Sequence, residues 1–266
     1  EIPERLRADA NGTLLRNDVL YPATPLPQRV AAADRAARDG VFSAAALIDL
    51  YSQLWSDPEI ADGEKADARQ LREAYVARSA QERLEAIRAL WGSSRPDYGR
   101  QVLTAYAAAR LPVSEEMADD AAPLIASMLS AGLDRNAMRW GEVVSAGSEG
   151  WALLAVAQPA RQGTVSSGAL GNFLDDDDSP DKRKSRFLVA GLAGLGRLDS
   201  GDIGSFSNRL GIDLDRQTRW SQAIDLAGEY RNATLVALLA GVGMQGNGWD
   251  KMTARHLFHI VRALDR

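Results

Sequence analysis

Residues 132–140, Gly132-Leu133-Asp134-Arg135-Asn136-Ala137-Met138-Arg139-Trp140, return at 213–220 as Asp213-Leu214-Asp215-Arg216-Gln217-Thr218-Arg219-Trp220, one residue shorter between Leu-Asp-Arg and Arg-Trp. Self-similarity of this length decides architecture before any single motif does, and it reads as an internal duplication. Outward from it, each Arg-Trp is followed by an Ala-Gly pair, Ala146-Gly147 and Ala227-Gly228, and then by an apolar segment, 151–157 and 233–240. A loop and a second apolar segment follow, 186–198 and 256–264, and both close on Leu-Asp. The expectation is two related units, 114–199 and 200–266, each of roughly four helices that bury an apolar face against their neighbours. Stacked, such units give an α-α superhelix or solenoid of about ten helices. Within each copy, Leu closes the core of one helix and Asp134 or Asp215 acts as N-cap of the next. Trp140 and Trp220 read as core anchors, and Arg139 and Arg219 as partners of local acids.

The N-terminal part agrees with this class. Residues 1–28 carry Asn11-Gly12, Pro22, Pro25 and Pro27 and read as an irregular arm. Residues 29–113 read as helical hairpins, with Val30, Ala33 and Ala37 and then Phe42, Leu47, Leu50, Tyr51 and Leu54 at three-and-four spacing on either side of Gly40. The Ser79-Ala80-Gln81-Glu82 spacing is that of a capping box and breaks the long periodic run 65–91 near Arg78. A further helix spans about 98–109, and Ser114 with Glu115 and Glu116 starts another. Alternating β-branched and aromatic runs are absent, so the fold class is all-α.

Composition bounds the function. Of 266 residues, 45% are hydrophobic and 25% charged, the proportions of a globular chain. A net charge of -5 and a pI near 5.2 argue against a nucleic-acid partner, which requires a basic field. The 31 basic residues include only Lys65, Lys182, Lys184 and Lys251 as lysines, a bias of base composition. With no cysteine, thiolate catalysis, cysteine metal sites and disulfides are excluded. The chain begins at Glu1, which suggests removal of a leader and a periplasmic or secreted location, with the cytoplasm as the alternative. No apolar run approaches the ~18–20 residues that cross a bilayer.

The sharpest local chemistry is Asp175-Asp176-Asp177-Asp178-Ser179-Pro180-Asp181, followed by Lys182-Arg183-Lys184. Carboxylates at Asp175 and Asp177 are hard ligands that suit calcium, although the spacing is not that of an EF-hand; the competing reading is a solvated loop offset by its own bases. By the duplication, this loop is equivalent to the glycine-rich turn through Gly246, Asn247 and Trp249, and equivalent loops of stacked units project along one edge. A binding edge is therefore expected at Asp175, Asp176, Asp177, Asp178, Asp181, Gly246, Asn247 and Trp249. His256 and His259 share a helix face but lack a third ligand and read as packing histidines. Glu82, Glu85, Glu115, Glu116, Glu142 and Glu149 are the acids available to a carboxylate mechanism. Neither a phosphate loop, a nucleophile elbow nor a dinucleotide fingerprint occurs, and no catalytic residue or cofactor is assigned.

The run from His256 to Leu264, after the turn through Trp249-Asp250, resembles the C-terminal region of uncharacterised helical proteins of alphaproteobacteria. That resemblance implies an exported or envelope location and carries no activity. The function expected is an interaction or scaffold module binding a protein or an envelope polymer. The alternative is a carboxylate-dependent hydrolase of cell-wall or other glycans.

Overall fold

The structure, a computed structural model, describes residues 12–92, 97–159, 163–243 and 252–265. Among these the chain is all-α, with fifteen α-helices, three 3-10 helices and no strand. Packing divides it into two compact units, Glu1–Val144 and Ser145–Arg266.

The first unit holds α1 (Gly12–Leu20), α2 (Leu26–Arg38), α3 (Ala44–Ser56), α4 (Ala66–Val76), α5 (Ala80–Trp91), α6 (Tyr98–Ala109), α7 (Ala121–Ser130) and the short α8 (Asp134–Met138). The arm expected at 1–28 therefore contains a helix, and a second one starts within it. Leu15 and Val19, four apart, place two apolar side chains on one face, and both are buried in the core with Val30, Leu47 and Leu50. Tertiary burial of these two side chains outweighs the irregular reading of this stretch. The break near Arg78 is present: Ser79 Oγ accepts from the Glu82 N–H at 3.1 Å, and Glu82 Oε2 accepts from the Ser79 N–H at 2.9 Å. Ser114 caps a 3-10 helix, Glu115–Asp120, leading into α7. A buried polar chain ties α5, α6 and α7 together, Trp91 Nε1 donating to Thr104 Oγ1 at 2.9 Å and Thr104 contacting Ser127 Oγ at 3.2 Å.

The second unit holds α9 (Glu149–Ala157), α10 (Ser167–Asp176), α11 (Arg183–Gly194), α12 (Ser200–Leu210), α13 (Arg219–Glu229), α14 (Ala233–Gly243) and α15 (Ala254–Asp265). Helix α15 lies against both α11 and α13, and two glycines set the approach. A Cβ on Gly194 would stand 2.9 Å from the Phe258 carbonyl oxygen, and one on Gly228 would stand 2.7 Å from Ala263 Cα. Neither space admits a methyl group.

The division at Val144 falls inside the block 114–199, and Ser200 is no boundary. Leu170, Leu188 and Leu192 share one core with Phe206, Leu210, Leu214 and Phe258, which lie on the far side of Ser200. The two copies of the repeated stretch also take different local structures. Asp134 is the first residue of α8, after Leu133, and makes no cap bond. Leu214 and Asp215 lie outside any helix, and Thr218 caps α13 in a box with Ser221. Neither aspartate is the N-cap expected of it; in the shorter copy, Thr218 with Ser221 four residues downstream of Leu214 supplies a better cap. Ala146-Gly147 forms a turn with Gly147 at φ +90°, whereas Ala227-Gly228 sits within α13. The tryptophans keep a common role in part: Trp140 is buried, and Trp220 is half-buried with Nε1 donating to the Leu239 carbonyl at 3.0 Å.

Candidate functional site

The acidic loop is a helix junction. Asp177, at the C-cap of α10, is buried; its carboxylate accepts from the Ser179 N–H at 2.9 Å, the Ser185 N–H at 2.8 Å and Ser185 Oγ at 2.6 Å. Burial opposes ionisation, but the hydrogen bonds from Ser179 and Ser185 outweigh it and hold the carboxyl at about 2. The ammonium of Lys182 donates to the carbonyls of Leu174 (3.0 Å) and Asp177 (2.5 Å), satisfying the exposed C-terminal end of α10. That clamp holds Asp181 and Lys182 at φ 53° and 52°, two consecutive non-glycine residues in the left-handed region, at roughly 1–2 kcal/mol each. Arg197 does the same for α9, donating to Ala155, Val156 and Gln158 at 2.7 Å each. Lys65 likewise donates to the Asp57 carbonyl at the end of α3.

The five aspartates thus have separate tasks. Asp175 pairs with Arg209, Asp178 stands 3.9 Å from Lys184, and Asp176 is exposed. Asp181 lines a cleft shared with arginines of α11 and α15. Gly246, Asn247 and Trp249 lie outside the described residues. Asp177, half of the calcium candidate, has its carboxylate engaged by two serines, and among the described residues no three His, Asp or Glu groups converge on a metal position.

His259 is fully enclosed; its Nδ1 lies 3.0 Å from Asp225 Oδ2, and Arg262 donates to the same oxygen at 2.5 Å. Burial raises the Asp225 pKa, but the hydrogen bonds from Arg262 and His259 bring it below the ordinary carboxylate value. His256 packs edge-on to Trp220, with ring centroids 5.0 Å apart, and its Nδ1 accepts from the Thr253 N–H at the start of α15. Burial, then Arg255 and His259, lower its pKa and keep it neutral, as an acceptor must be. Both histidines pack, as their spacing implied. The acid that orients His259 comes from α13, thirty-four residues away, so no periodicity pointed to it.

Among the acids of a carboxylate mechanism, Glu82 is spent in its capping box, Glu85 accepts from Gln81, and Glu149 pairs with Lys184. Asp34, not singled out by sequence, has a raised pKa. Burial raises it, with Arg100 and Tyr51 acting in the opposite direction. Tyr51 Oη donates to it at 2.8 Å.

The least expected feature is α14. Its sequence, Ala-Thr-Leu-Val-Ala-Leu-Leu-Ala-Gly-Val-Gly, has no charged residue, and a helix apolar all round is ordinarily buried. Among its residues 233–241 only Val236 is buried, Leu239 and Ala240 are half-buried, and Leu235 and Leu238 are exposed, Leu238 by 62%. Leu226 of α13 (52%) and its C-cap Tyr230 (79%) are exposed as well. The sequence shows 233–240 as an apolar segment of the second unit. No family model, curated protein or solved structure matches the chain. No helix among the described residues is long and apolar enough to cross a membrane.

Proposed function

We propose that this protein is an interaction module whose docking face is the outer side of α14 with the adjoining end of α13, and that its partner is an apolar surface of another protein. One observation carries the reading: an uncharged helix with two exposed leucines, Leu235 and Leu238, beside the exposed Leu226 and Tyr230. The chemistry of the face selects among the expected partners. Glycans and other envelope polymers are recognised by hydrogen bonds and charge, which Leu235, Ala237 and Leu238 do not supply, whereas a protein helix with apolar side chains covers them and gains up to about 2 kcal/mol per leucine. An exported, envelope location belongs to the same proposal, supported by the C-terminal resemblance, and cell fractionation tests it. The helical-repeat reading rests on the duplicated stretches 132–140 and 213–220 and not on a boundary at Ser200.

The test is affinity capture from native extract with the unmodified chain and with Leu238→Glu. The expected result is a protein retained by the first and lost from the second, with both equally folded by circular dichroism. Equal retention by both would remove the face from the mechanism.

A further inference from the structure

We propose that the arginine-lined cleft of the second unit binds a phosphate monoester. The cleft, of about 520 Å³, lies between the 3-10 turn at Pro180, the loop after α12 and the start of α15, and its volume is in the range of small-molecule sites. Four arginines line it: Arg183 and Arg186 from α11, Arg216 from the loop, and Arg255 from α15. Among the described residues none of the four takes part in an ion pair, in a chain whose net charge is negative and where Arg88, Arg100, Arg209 and Arg262 all find carboxylates.

Their placement is built. Arg183 lies over the Phe187 ring at 4.6 Å, and its Nη1 is 3.4 Å from the Met252 carbonyl. Asp213 Oδ1 accepts from the Arg216 N–H at 3.0 Å, fixing the turn that carries that side chain. The Arg186 Nε is buried with no hydrogen-bond partner among the described residues, as are those of Arg83 and Arg262. The strained turn at Asp181 and Lys182 leads directly into Arg183.

Charge and shape define the ligand. Among the described residues that line the cleft, two carboxylates, Asp181 and Asp213, stand against the four arginines, an excess of two positive charges. A phosphate monoester offers close to two negative charges on one group with three terminal oxygens, so guanidiniums from three chain segments can meet it together. A dicarboxylate divides the same charge between two ends. Phe187, Ile212 and Met252 give the esterified carbon body an apolar wall.

The test is calorimetric titration of the full chain at constant ionic strength with inorganic phosphate, glycerol phosphate and succinate. Glycerol phosphate is expected to bind most tightly, inorganic phosphate more weakly and succinate weakest. Arg216→Ser combined with Arg255→Ser should lower the glycerol phosphate affinity at least about tenfold, whereas Arg209→Ser, which removes the same charge outside the cleft, should not change it. If the double variant does not fold, amide shifts in the unmodified chain decide: they should cluster at 211–216 and 252–255 on phosphate addition. Absence of binding at millimolar phosphate, a preference for succinate, shifts elsewhere, or equal loss in Arg209→Ser would each overturn the proposal.

Discussion

Two clusters, one in each unit, are built from the same parts and behave oppositely. In the first, Asp34 of α2 faces Tyr51 of α3 and Arg100 of α6; in the second, Asp225 of α13 faces His259 and Arg262 of α15. The carboxyl of Asp34 is pushed up and that of Asp225 down. Geometry explains the difference. Arg262 bonds Asp225 directly, whereas Arg100 gives its Nη2 to Asp67 at 2.7 Å and its Nη1 only approaches Tyr51 Oη, at 3.4 Å. Asp34 is thus half-buried with, among the described residues, the neutral hydroxyl of Tyr51 as its hydrogen-bond donor, and desolvation wins. Arg100, bonded to Asp67, lowers the Asp34 pKa but does not offset burial.

The largest consequence is an asymmetry between two amide substitutions. Asp225→Asn leaves the Arg262 charge half-buried and unpaired and should cost about 3 kcal/mol. Asp34→Asn keeps an acceptor for Tyr51 and should cost less than about 1 kcal/mol. Chemical denaturation of both variants measures this, and a larger loss for Asp34→Asn would reverse the comparison.

Next comes helix approach. Gly228→Ala must push α13 from α15 and should cost about 2 kcal/mol. Because that shift separates Asp225 from Arg262, the Asp225 carboxyl should titrate closer to the ordinary value, which carboxyl-carbon NMR would record.

Acid should then separate the units. The pKa of Asp177 is depressed to about 2 in the fold, so its contribution, about 2 kcal/mol by the size of the shift, is present above the unfolded value of 3.8 and is lost as pH falls from there towards 2. Asp225 acts in the same direction. The pKa of Asp34 is raised, so its contribution is present below 3.8 and is lost as pH rises through the folded value. The second unit should lose amide protection first on acidification; simultaneous loss would show that these groups do not govern the difference. His256, lowered from 6.5, adds a smaller loss in the second unit that begins as pH falls below that value.

The smallest effect concerns Tyr51→Phe, which should cost about 1 kcal/mol. It should also raise the Asp34 pKa further, since the Tyr51 hydrogen bond lowers it.

What was legible in the sequence follows the range of the interactions. Helix class, the break at Ser79 and the helix at Tyr98–Ala109 depend on residues within one turn of each other, and the pattern displays them. The acidic run was visible, but its role was not, because the partners of Asp177 and Lys182 are set by a left-handed turn that composition does not encode. The limit of the first core helix was missed for the opposite reason: Leu15 and Val19 gain burial from α2, and the local glycine signal was outweighed. Asp34, Asp225 and the cleft arginines are brought together from distant segments. Helix α14 was the reverse case, a segment that reads as core because it is apolar and is left bare by the fold.

The bare face of α14 is tested most directly by hydrogen exchange of the purified chain, alone and with the protein it retains. Added protection across 233–243 and the end of α13, with the core helices α10 and α11 unchanged, is the expected result. Unchanged exchange over α14 while protection appears elsewhere would contradict it.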